Sequence, residues 1–368
     1  ERSVGARCRN VQRMSTTLEG SGAWRPQTTG RESIAVGVSA AIGRTPLVRL
    51  DRLFPESGIE VLAKLESANP GGSTKDRPAL AMVRDAVASG RLRPGGTVVE
   101  SSSGNLGVAL ARVCLEHAVR FVCVVDSRTN GTAVAAIRAL GGRIEMVTDP
   151  DPETGDLLTA RLRRVEHLLS EIPGAVNLHQ YGNPANPAAH EDGTMREIAE
   201  ATGHRLDVLM AAVSTTGTLA GCSAYLRRTS MDTTTVAVDA EGSVLFGGTA
   251  APRPLPGLGA GVVTDISRTV DPDRVVRVSG LDCVVGARLL AEREGILAGA
   301  STGGIVHALG TLVPDLAPGS RVALIVHDSG VPYLGTVYDD SWVRTTLHAA
   351  PSDVATATTA LQTLARRG

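Results

Sequence analysis

Length, composition and charge set the first limits on this chain. It has 368 residues, of which 42% are apolar and 20% charged, and its net charge is −1 at pH 7. These values are typical of a folded globular protein, and the length makes two domains the default expectation. The sequence carries neither a basic nucleic-acid footprint nor an apolar run long enough for a membrane span, so we expect neither kind of partner.

The use of cysteine and lysine narrows the possible chemistry. The five cysteines are scattered, with no Cys/His spacing typical of a zinc site. We therefore expect no metal and a reducing, cytoplasmic setting. Only two of the 37 basic residues are lysines, Lys64 and Lys75. Any lysine chemistry must use one of these two side chains.

Predicted strands and helices alternate along most of the chain. Residues 1–35 are rich in Arg, Ser, Thr and Gly, and we expect a disordered extension there. The tail from Pro351 is expected to be a short helix or disordered. Strands are predicted over 97–100, 121–125, 143–147, 206–213, 235–239 and 321–326, and helices over 105–117, 132–140, 156–170, 219–228, 283–294 and 305–312. This alternation favours an α/β protein with mainly parallel sheets.

The first candidate site is a glycine-rich turn that ends in a lysine. The segment from Asn69 to Lys75 reads NPGGSTK. We expect Lys75 in the first turn of the next helix, where the helix dipole and partial burial favour the neutral amine that a Schiff base needs. The alternative is a surface lysine after a turn, and the scarcity of lysine in this chain favours the chemical role.

Further candidate loops lie at predicted strand-to-helix junctions, where helix N-termini present free N–H groups. The segment 100–107, ESSSGNLG, suits a substrate carboxylate or simply caps a helix. The segment 213–221, VSTTGTLAG, suits a phosphate but lacks the ending of a Walker loop and the dinucleotide fingerprint. The small-residue turn 294–304 indicates little by itself. Together, a lysine, a carboxylate loop and a phosphate loop predict a pyridoxal phosphate enzyme that acts on an amino acid.

The order of these motifs and the residues in them resemble those of the fold type II, or tryptophan synthase β-like, enzymes. The resemblance is strongest to cysteine synthase and cystathionine β-synthase, and it runs from about Ile42 to about Tyr338. It implies an α/β fold of two domains, a homodimer and pyridoxal 5′-phosphate as cofactor. The implied domains are an N-terminal segment over 36–78 that partly crosses to the large domain, a small substrate-closing domain over 79–180, a large phosphate-binding domain over 181–348 and a tail over 349–368.

The resemblance also implies roles for individual residues. Lys75 matches the Schiff-base lysine, Asn105 the contact to the cofactor's 3′ oxygen, and Ser301 the hydroxyl that faces the pyridine nitrogen. The matches in the cofactor phosphate loop are Ser214, Thr215, Thr216, Gly217 and Thr218, and those in the substrate carboxylate loop are Ser102, Ser103, Gly104 and Asn105. Lys64 lies on a strand-like run and is expected to be structural.

Two motif variants resemble one branch of this family. SSGNLG stands where cysteine synthases usually read TSGNTG, and STTGT stands where they usually read GTGGT. Both variants are similar to those of N-(2-amino-2-carboxyethyl)-L-glutamate synthases, which start 2,3-diaminopropionate synthesis for siderophores and antibiotics. The branch implies β-replacement through an α-aminoacrylate, with O-phospho-L-serine as donor and L-glutamate as nucleophile. Arg161 and Tyr181 match its substrate-contacting positions, although Arg161 also suits a solvated helix face. Ser214 is a further candidate for substrate contact.

Three alternative functions stay open at this point. A cysteine synthase would use sulfide as the nucleophile. A dehydratase would release pyruvate and ammonia, and a regulatory homologue would bind the cofactor without turnover. The segment 326–334, VHDSGVPYL, departs from the family pattern because Pro332 replaces an arginine. Donor preference or cofactor tuning is therefore open, and we expect His327 to be a hydrogen-bonded histidine at a strand end.

Overall fold

The computed structural model describes residues 34–102, 104–155 and 157–366. All but the last two residues of the extension predicted over 1–35 lie outside these ranges. The strands are β1 Leu47–Arg49, β2 Glu60–Leu65, β3 Thr97–Ser101, β4 Arg120–Asp126, β5 Arg143–Val147, β6 Ala175–Val176, β7 Val208–Ala212, β8 Thr234–Ala240, β9 Arg274–Val278 and β10 Arg321–Val326. The helices are α1 Asp76–Ala88, α2 Asn105–Glu116, α3 Gly131–Ala139, α4 Leu157–Glu171, α5 Ala185–Ala189, α6 Arg196–Thr202, α7 Gly217–Thr229, α8 Gly280–Glu294, α9 Ala300–Leu312, α10 Asp340–Leu347 and α11 Pro351–Leu364.

The strands form two sheets. The larger sheet has the order β1-β2-β10-β7-β8-β9, and the smaller has the order β5-β4-β3-β6. Among the strands that the structure describes, every pairing is parallel except that of β1 with β2. Parallel strands need crossover connections, which the helices between them supply. This arrangement confirms the expected α/β fold with mainly parallel sheets.

Each sheet is covered by helices on both faces. Helices α8, α9 and α11 pack on one face of the larger sheet, and α6 and α7 pack on the other. The smaller sheet lies between α1, α2 and α3 on one side and α4 on the other. Because both faces are buried, the central strands are runs of Val, Leu, Ile and Ala, as parallel sheets require. Helices α8 and α9 approach so closely that a Cβ on Gly286 would lie 1.9 Å from the carbonyl oxygen of Gly303.

The long apolar elements agree with the sequence prediction. Strands β5 and β10 have the predicted bounds, and the other predicted elements are found with ends shifted by a few residues. The tail forms helix α11. The sequence pattern did not identify β1, β6, β9, α10 or the helical stretch 185–202. Strands β1 and β6 have only three and two residues, and β9 contains two arginines, Arg274 and Arg277. The helical stretch contains Pro187 and Gly193, which usually indicate loops.

A buried ion cluster ties the start of α1 to the larger sheet. Lys64 Nζ on β2 lies 2.6 Å from Glu197 Oε2 and donates to the carbonyl oxygen of Thr45 at 2.6 Å. Arg77 on α1 contacts both Glu66 and Glu197, at 2.7 Å in each case. Lys64 therefore has structural partners, as the sequence predicts. Within the described ranges, no helix has the length and apolar character needed to cross a bilayer.

Candidate active site

A cavity of about 310 Å³ lies where strands of both sheets end. Its walls include residues that follow β3, β7 and β10, the edge at which open α/β sheets bind ligands. It is lined by every described residue that the sequence nominated: Lys75, Ser102, Gly104, Asn105, Arg161, Tyr181, Ser214, Thr215, Thr216, Gly217, Thr218 and Ser301. Ser103 lies outside the described residues. Residues far apart in the sequence therefore meet in one place.

Lys75 lies at the N-cap of α1, one residue before the first turn in which the sequence placed it. The turn that carries it is held to the end of β10, because the Thr74 N–H donates to the His327 carbonyl oxygen at 2.7 Å. Burial lowers the pKa of Lys75, and the negative charge of Asp328 opposes this effect. The amine of Lys75 therefore loses its proton more readily than that of an exposed lysine.

The carboxylate loop lies between β3 and α2. The Ser102 hydroxyl accepts hydrogen bonds from the Gly107 N–H at 2.9 Å and the Gly104 N–H at 3.4 Å. It thereby satisfies a free N–H in the first turn of α2, whose N-cap is Gly104. Because the oxygen of Ser102 acts as the acceptor in these bonds, its hydroxyl hydrogen can still donate to a ligand in the cavity. The two alternatives that the sequence left open, a helix cap and a ligand contact, are therefore compatible at this residue.

The loop between β7 and α7 has the properties of a phosphate cradle. Thr216 is the N-cap of α7 and has a φ of 70°, which is unusual for a β-branched residue and is found at strained functional loops. Its Oγ1 is buried with no hydrogen-bond partner in the described part of the chain. The next residue, Gly217, packs tightly against the side chain of Asn186, because a Cβ on Gly217 would lie 2.1 Å from Asn186 Oδ1. A free hydroxyl at the positive end of a 13-residue helix suits an anion.

His190 supports this loop from behind, and sequence reasoning missed it. It begins the π-helical segment His190–Met195, and its Nε2 lies 3.4 Å from Thr218 Oγ1 while its Nδ1 lies 3.0 Å from Thr194 Oγ1. Burial lowers the pKa of His190 well below its usual value, with the charges of Lys75 and Arg77 as further causes. The ring is therefore neutral. A π-helical turn often marks a functional position, but it has no simple sequence pattern.

Arg161 faces inward from α4. It is 8% exposed, and its Nε lies 3.2 Å from Asp126 Oδ2 at the end of β4. The neighbouring Arg163 has a side chain that is 47% exposed. The alternative of a solvated face therefore applies to Arg163 and not to Arg161. Tyr181 lies nearby, where burial raises the pKa of its phenol and the charge of Arg161 opposes the rise.

The end of β10 supplies two polar residues between β7 and α9. His327 Nε2 accepts a hydrogen bond from the Ala212 N–H at 3.0 Å, as expected of a strand-end histidine. Burial, with the charge of Lys75, lowers the pKa of His327 to about 3. Asp328 is buried and accepts hydrogen bonds from Asn105 and Tyr333. Sequence reasoning did not select Asp328, although an acidic residue two positions after a buried apolar strand was a visible signal.

The sequence matches a known family of enzymes. A profile of the family described as pyridoxal-phosphate dependent enzyme matches residues 38–328, more than half of the chain. The chain belongs to the pyridoxal-phosphate-dependent enzyme family. The N-(2-amino-2-carboxyethyl)-L-glutamate synthase of Ralstonia nicotianae (strain ATCC BAA-1114 / GMI1000) is 44% identical over 310 residues, which cover 84% of this chain and 91% of that protein.

Two solved structures show the same fold. The O-acetylserine dependent cystathionine beta-synthase from Helicobacter pylori is 29% identical with a TM-score of 0.77, over 83% of this chain and 98% of that chain. O-ureido-L-serine synthase is 34% identical with a TM-score of 0.75, over 83% of this chain and 98% of that chain. The predictions of a fold type II architecture, of pyridoxal phosphate as cofactor and of a β-replacement enzyme are confirmed.

The cavity of this pyridoxal-phosphate-dependent enzyme fits the cofactor. The unpartnered Thr216 hydroxyl and the N-terminus of α7 suit its phosphate. Lys75, with its depressed pKa, suits the aldehyde carbon. Asn105 and Ser301 line the remaining wall, each in the first turn of a helix. The donor set present therefore matches the anionic, carbonyl and ring groups of pyridoxal phosphate.

Proposed function

We propose that this enzyme joins L-glutamate to the β-carbon of O-phospho-L-serine, giving N-(2-amino-2-carboxyethyl)-L-glutamate and phosphate. The observation that carries the proposal is the buried guanidinium of Arg161, which lines the same cavity as Lys75 and is paired through Nε with Asp126 at 3.2 Å. A doubly charged leaving group needs a cation that water does not screen. The relative from Ralstonia nicotianae, named for the same product, supports this substrate pair.

The cofactor would be held by the residues that line the cavity. We assign its phosphate to the loop of Ser214, Thr215, Thr216, Gly217 and Thr218, its 3′ oxygen to Asn105 and its ring nitrogen to Ser301. Pyridoxal phosphate, when bound, supplies an electron sink for the charge that develops at the substrate α-carbon. We assign the substrate carboxylate to the loop of Ser102, Ser103, Gly104 and Asn105.

Lys75 moves the proton in this scheme. Its neutral Nζ takes the α-proton of O-phospho-L-serine, a role worth roughly 10²–10⁴-fold in rate. The bond between the β-carbon and the ester oxygen breaks, and phosphate leaves with the electron pair toward Arg161 and Tyr181. The glutamate nitrogen then forms a bond to the β-carbon and releases one proton to solvent. Lys75 Nζ returns its proton to the α-carbon.

The remaining assignments concern assembly and setting. We propose a homodimer, on the family resemblance, with the small domain over 79–180 closing on the substrate. We propose a cytoplasmic setting because Cys114, Cys123, Cys222 and Cys283 are buried free thiols. Sedimentation equilibrium of the cofactor-loaded protein tests the dimer, and a monomer at micromolar concentration would contradict it.

The decisive experiment measures phosphate release from O-phospho-L-serine by the cofactor-loaded enzyme. L-Glutamate, L-glutamine, sulfide or no nucleophile is supplied in turn. The proposal expects release that depends on L-glutamate, with a new secondary-amine amino acid identified by mass spectrometry. Cysteine formation from sulfide with glutamate inert would make the enzyme a cysteine synthase. Pyruvate and ammonia without any nucleophile would make it a dehydratase.

Arg161 and Arg163 form a matched pair for testing the phosphate contact. Arg161→Gln should raise the KM for O-phospho-L-serine by tenfold or more while changing the KM for O-acetyl-L-serine much less, because only the former carries the doubly charged group. Arg163→Gln removes the same charge from the exposed face of α4. Equal effects of Arg161→Gln on both donors would contradict the assignment.

A further inference from the structure

Asp328 is a buried carboxylate at the centre of the cavity wall, and no step described so far uses it. It is 4% exposed and follows the end of β10 by two residues. Its Oδ2 accepts a hydrogen bond from Asn105 Nδ2 at 2.7 Å and another from the Tyr333 hydroxyl at 2.8 Å. One carboxylate oxygen thus connects the first residue of α2 to the loop after β10.

The other oxygen of Asp328, Oδ1, is buried and receives no well-formed hydrogen bond from the described residues, although the nearby Gly299 N–H lowers the pKa of the carboxyl. It packs against the backbone of Gly299, where an added Cβ would lie 2.2 Å from it. Gly299 is the N-cap of α9, so the carboxylate lies at the positive end of that 13-residue helix. An unpaired buried carboxylate oxygen is costly, which indicates a role beyond packing.

The charge of Asp328 faces Lys75. The two groups interact electrostatically and line the same cavity, but they form no ion pair within the described part of the chain. The turn before Lys75 also bridges to this residue, since Ser73 and Asp328 form an isolated antiparallel bridge. The backbone therefore holds the turn that carries Lys75 against Asp328.

We propose that Asp328 is a positioning residue of the reaction: its carboxylate fixes the amide of Asn105 and supplies the negative charge that holds a proton on Lys75 after abstraction. The donation from Nδ2 to Asp328 uses one of the two amide hydrogens of Asn105 and leaves the second for the cavity. The negative charge favours the ammonium form of Lys75 once it has taken a proton. The proposal rests on Lys75 being the reactive lysine and not on the identity of the nucleophile.

Three other titratable groups surround Lys75 and enter its proton balance. His327 lies at the end of β10 and His190 on the π-helical segment, and both are neutral because burial lowers the pKa of each. Tyr333 donates to Asp328, and burial raises the pKa of its phenol. All three are uncharged near neutral pH. Burial raises the pKa of Asp328, and the hydrogen bonds from Tyr333 and Asn105 together with the charge of Lys75 oppose this rise and favour the carboxylate that acts on Lys75.

The test exploits the presence of only two lysines in the chain. The full chain, freed of cofactor, is labelled with ¹³C at the ε-carbon of lysine, and NMR follows both signals with pH. Asp328→Asn keeps the size and an acceptor for Asn105 and Tyr333 but removes the charge. We expect the titration midpoint of Lys75 to fall by about one pH unit or more. Lys64, paired with Glu197, is the internal reference and should not move.

Tyr333→Phe is the matched control, because it removes one hydrogen bond to Asp328 and keeps the charge. It should leave the midpoint of Lys75 close to that of the wild type. In the holoenzyme, Asp328→Asn should also shift the basic limb of the pH profile of kcat to lower pH. An unchanged Lys75 midpoint in Asp328→Asn, or equal shifts in both variants, would overturn the proposal.

Asp328→Ser is a second neutral variant, for use if the asparagine variant does not fold. It should shift the Lys75 midpoint in the same direction. Absence of glutamate-dependent turnover in the wild type, together with the expected shift of the Lys75 midpoint in Asp328→Asn, would contradict the proposed substrates alone. An unmoved Lys75 midpoint with intact glutamate-dependent turnover would contradict the role of Asp328 alone.

Discussion

Lys75 and Lys64 show how environment decides the role of a side chain. Lys64 is buried, and Lys75 is half-buried on the cavity wall. Lys64 is paired with Glu197 at 2.6 Å, and Arg77 and Lys64 lower the pKa of Glu197 to about 2 although burial opposes this. Lys75 has no such carboxylate within ion-pair distance in the described chain, so burial lowers the pKa of its amine. The paired lysine stabilises the fold, and the unpaired one is available for chemistry.

The first prediction concerns which lysine carries the cofactor. Borohydride reduction of the holoenzyme should fix the cofactor on the peptide that contains Lys75 and leave the peptide that contains Lys64 unlabelled. Lys75→Ala should abolish this labelling and lower β-replacement by at least about 10²–10⁴-fold, because the chain loses its positioned base. Mass spectrometry of the digested protein reads both peptides. Label on Lys64 in either protein would contradict the assignment.

The second prediction concerns stability in acid. His327 has a native pKa of about 3 against an ordinary value of 6.5, so below pH 6.5 the unfolded chain takes up a proton that the native state does not. The free energy of unfolding is therefore lost as the pH falls from 6.5 toward 3. His327→Gln removes this titration and keeps an acceptor for the Ala212 N–H. Between about pH 7 and about pH 5 the variant should lose about 2 kcal/mol less than the wild type.

Urea unfolding of both proteins at the two pH values measures this difference. Buried Glu100, whose pKa burial raises to about 7, changes stability in the opposite direction over the same range. Its contribution is present in both proteins and cancels in the comparison. Parallel loss of stability in the variant and the wild type would show that His327 does not remain neutral in the native state.

At the scale of single elements, the start of α7 is the most constrained part of the site. Thr216 has a left-handed backbone, Gly217 packs on Asn186, and His190 contacts Thr218. A cradle held from three sides is preorganised for the phosphate, and preorganisation reduces the entropy lost on binding. Cofactor affinity should therefore be sensitive to one methyl group at this position.

The third prediction tests that sensitivity. Gly217→Ala places a methyl group against Asn186, at a cost of about 1–3 kcal/mol, and should weaken cofactor binding roughly ten- to hundredfold. Gly131→Ala is the matched control, since Gly131 opens α3 and has no heavy atom within 4 Å of the added Cβ. Equilibrium dialysis of pyridoxal phosphate gives both Kd values. Similar affinities for the two variants would contradict a tight cradle.

The elements that carry the site were largely predictable, and its supporting contacts were not. Strands β3, β4, β7 and β10 are buried apolar runs, and the loops after β3 and β7 contain residue types that favour helix N-termini. Local pattern therefore indicated Lys75, Asn105 and the phosphate loop. The contacts of His190 with Thr218 and of Asp328 with Asn105 join residues 28 and 223 positions apart. Such pairs depend on tertiary packing, which no local pattern encodes.

At the scale of the whole molecule, two side-chain amides connect helices of the smaller sheet to the loop after β10. Asn105, at the start of α2, donates to Asp328, and Asn130, the N-cap of α3, donates through Nδ2 to the Pro332 carbonyl oxygen at 3.3 Å. Both Asn130 and Pro332 line the cavity. The backbone carbonyl of Pro332 therefore supplies a contact across the cavity rim.

The fourth prediction is that this rim contact assists substrate binding. Asn130→Ser keeps an N-cap oxygen for the Thr132 N–H, which Asn130 now accepts at 2.8 Å, but it removes the donor to Pro332. A neutral hydrogen bond of this kind contributes about 0.5–1.5 kcal/mol, so the KM for O-phospho-L-serine should rise roughly two- to tenfold. The melting temperature and the Kd for the cofactor should stay near the wild-type values.

Pro332→Ala, which keeps the carbonyl acceptor, should raise the KM less, because only Asn130→Ser removes the bond itself. A KM that rises more in Pro332→Ala than in Asn130→Ser would show that the rigidity of the proline ring, and not the amide contact, controls the rim.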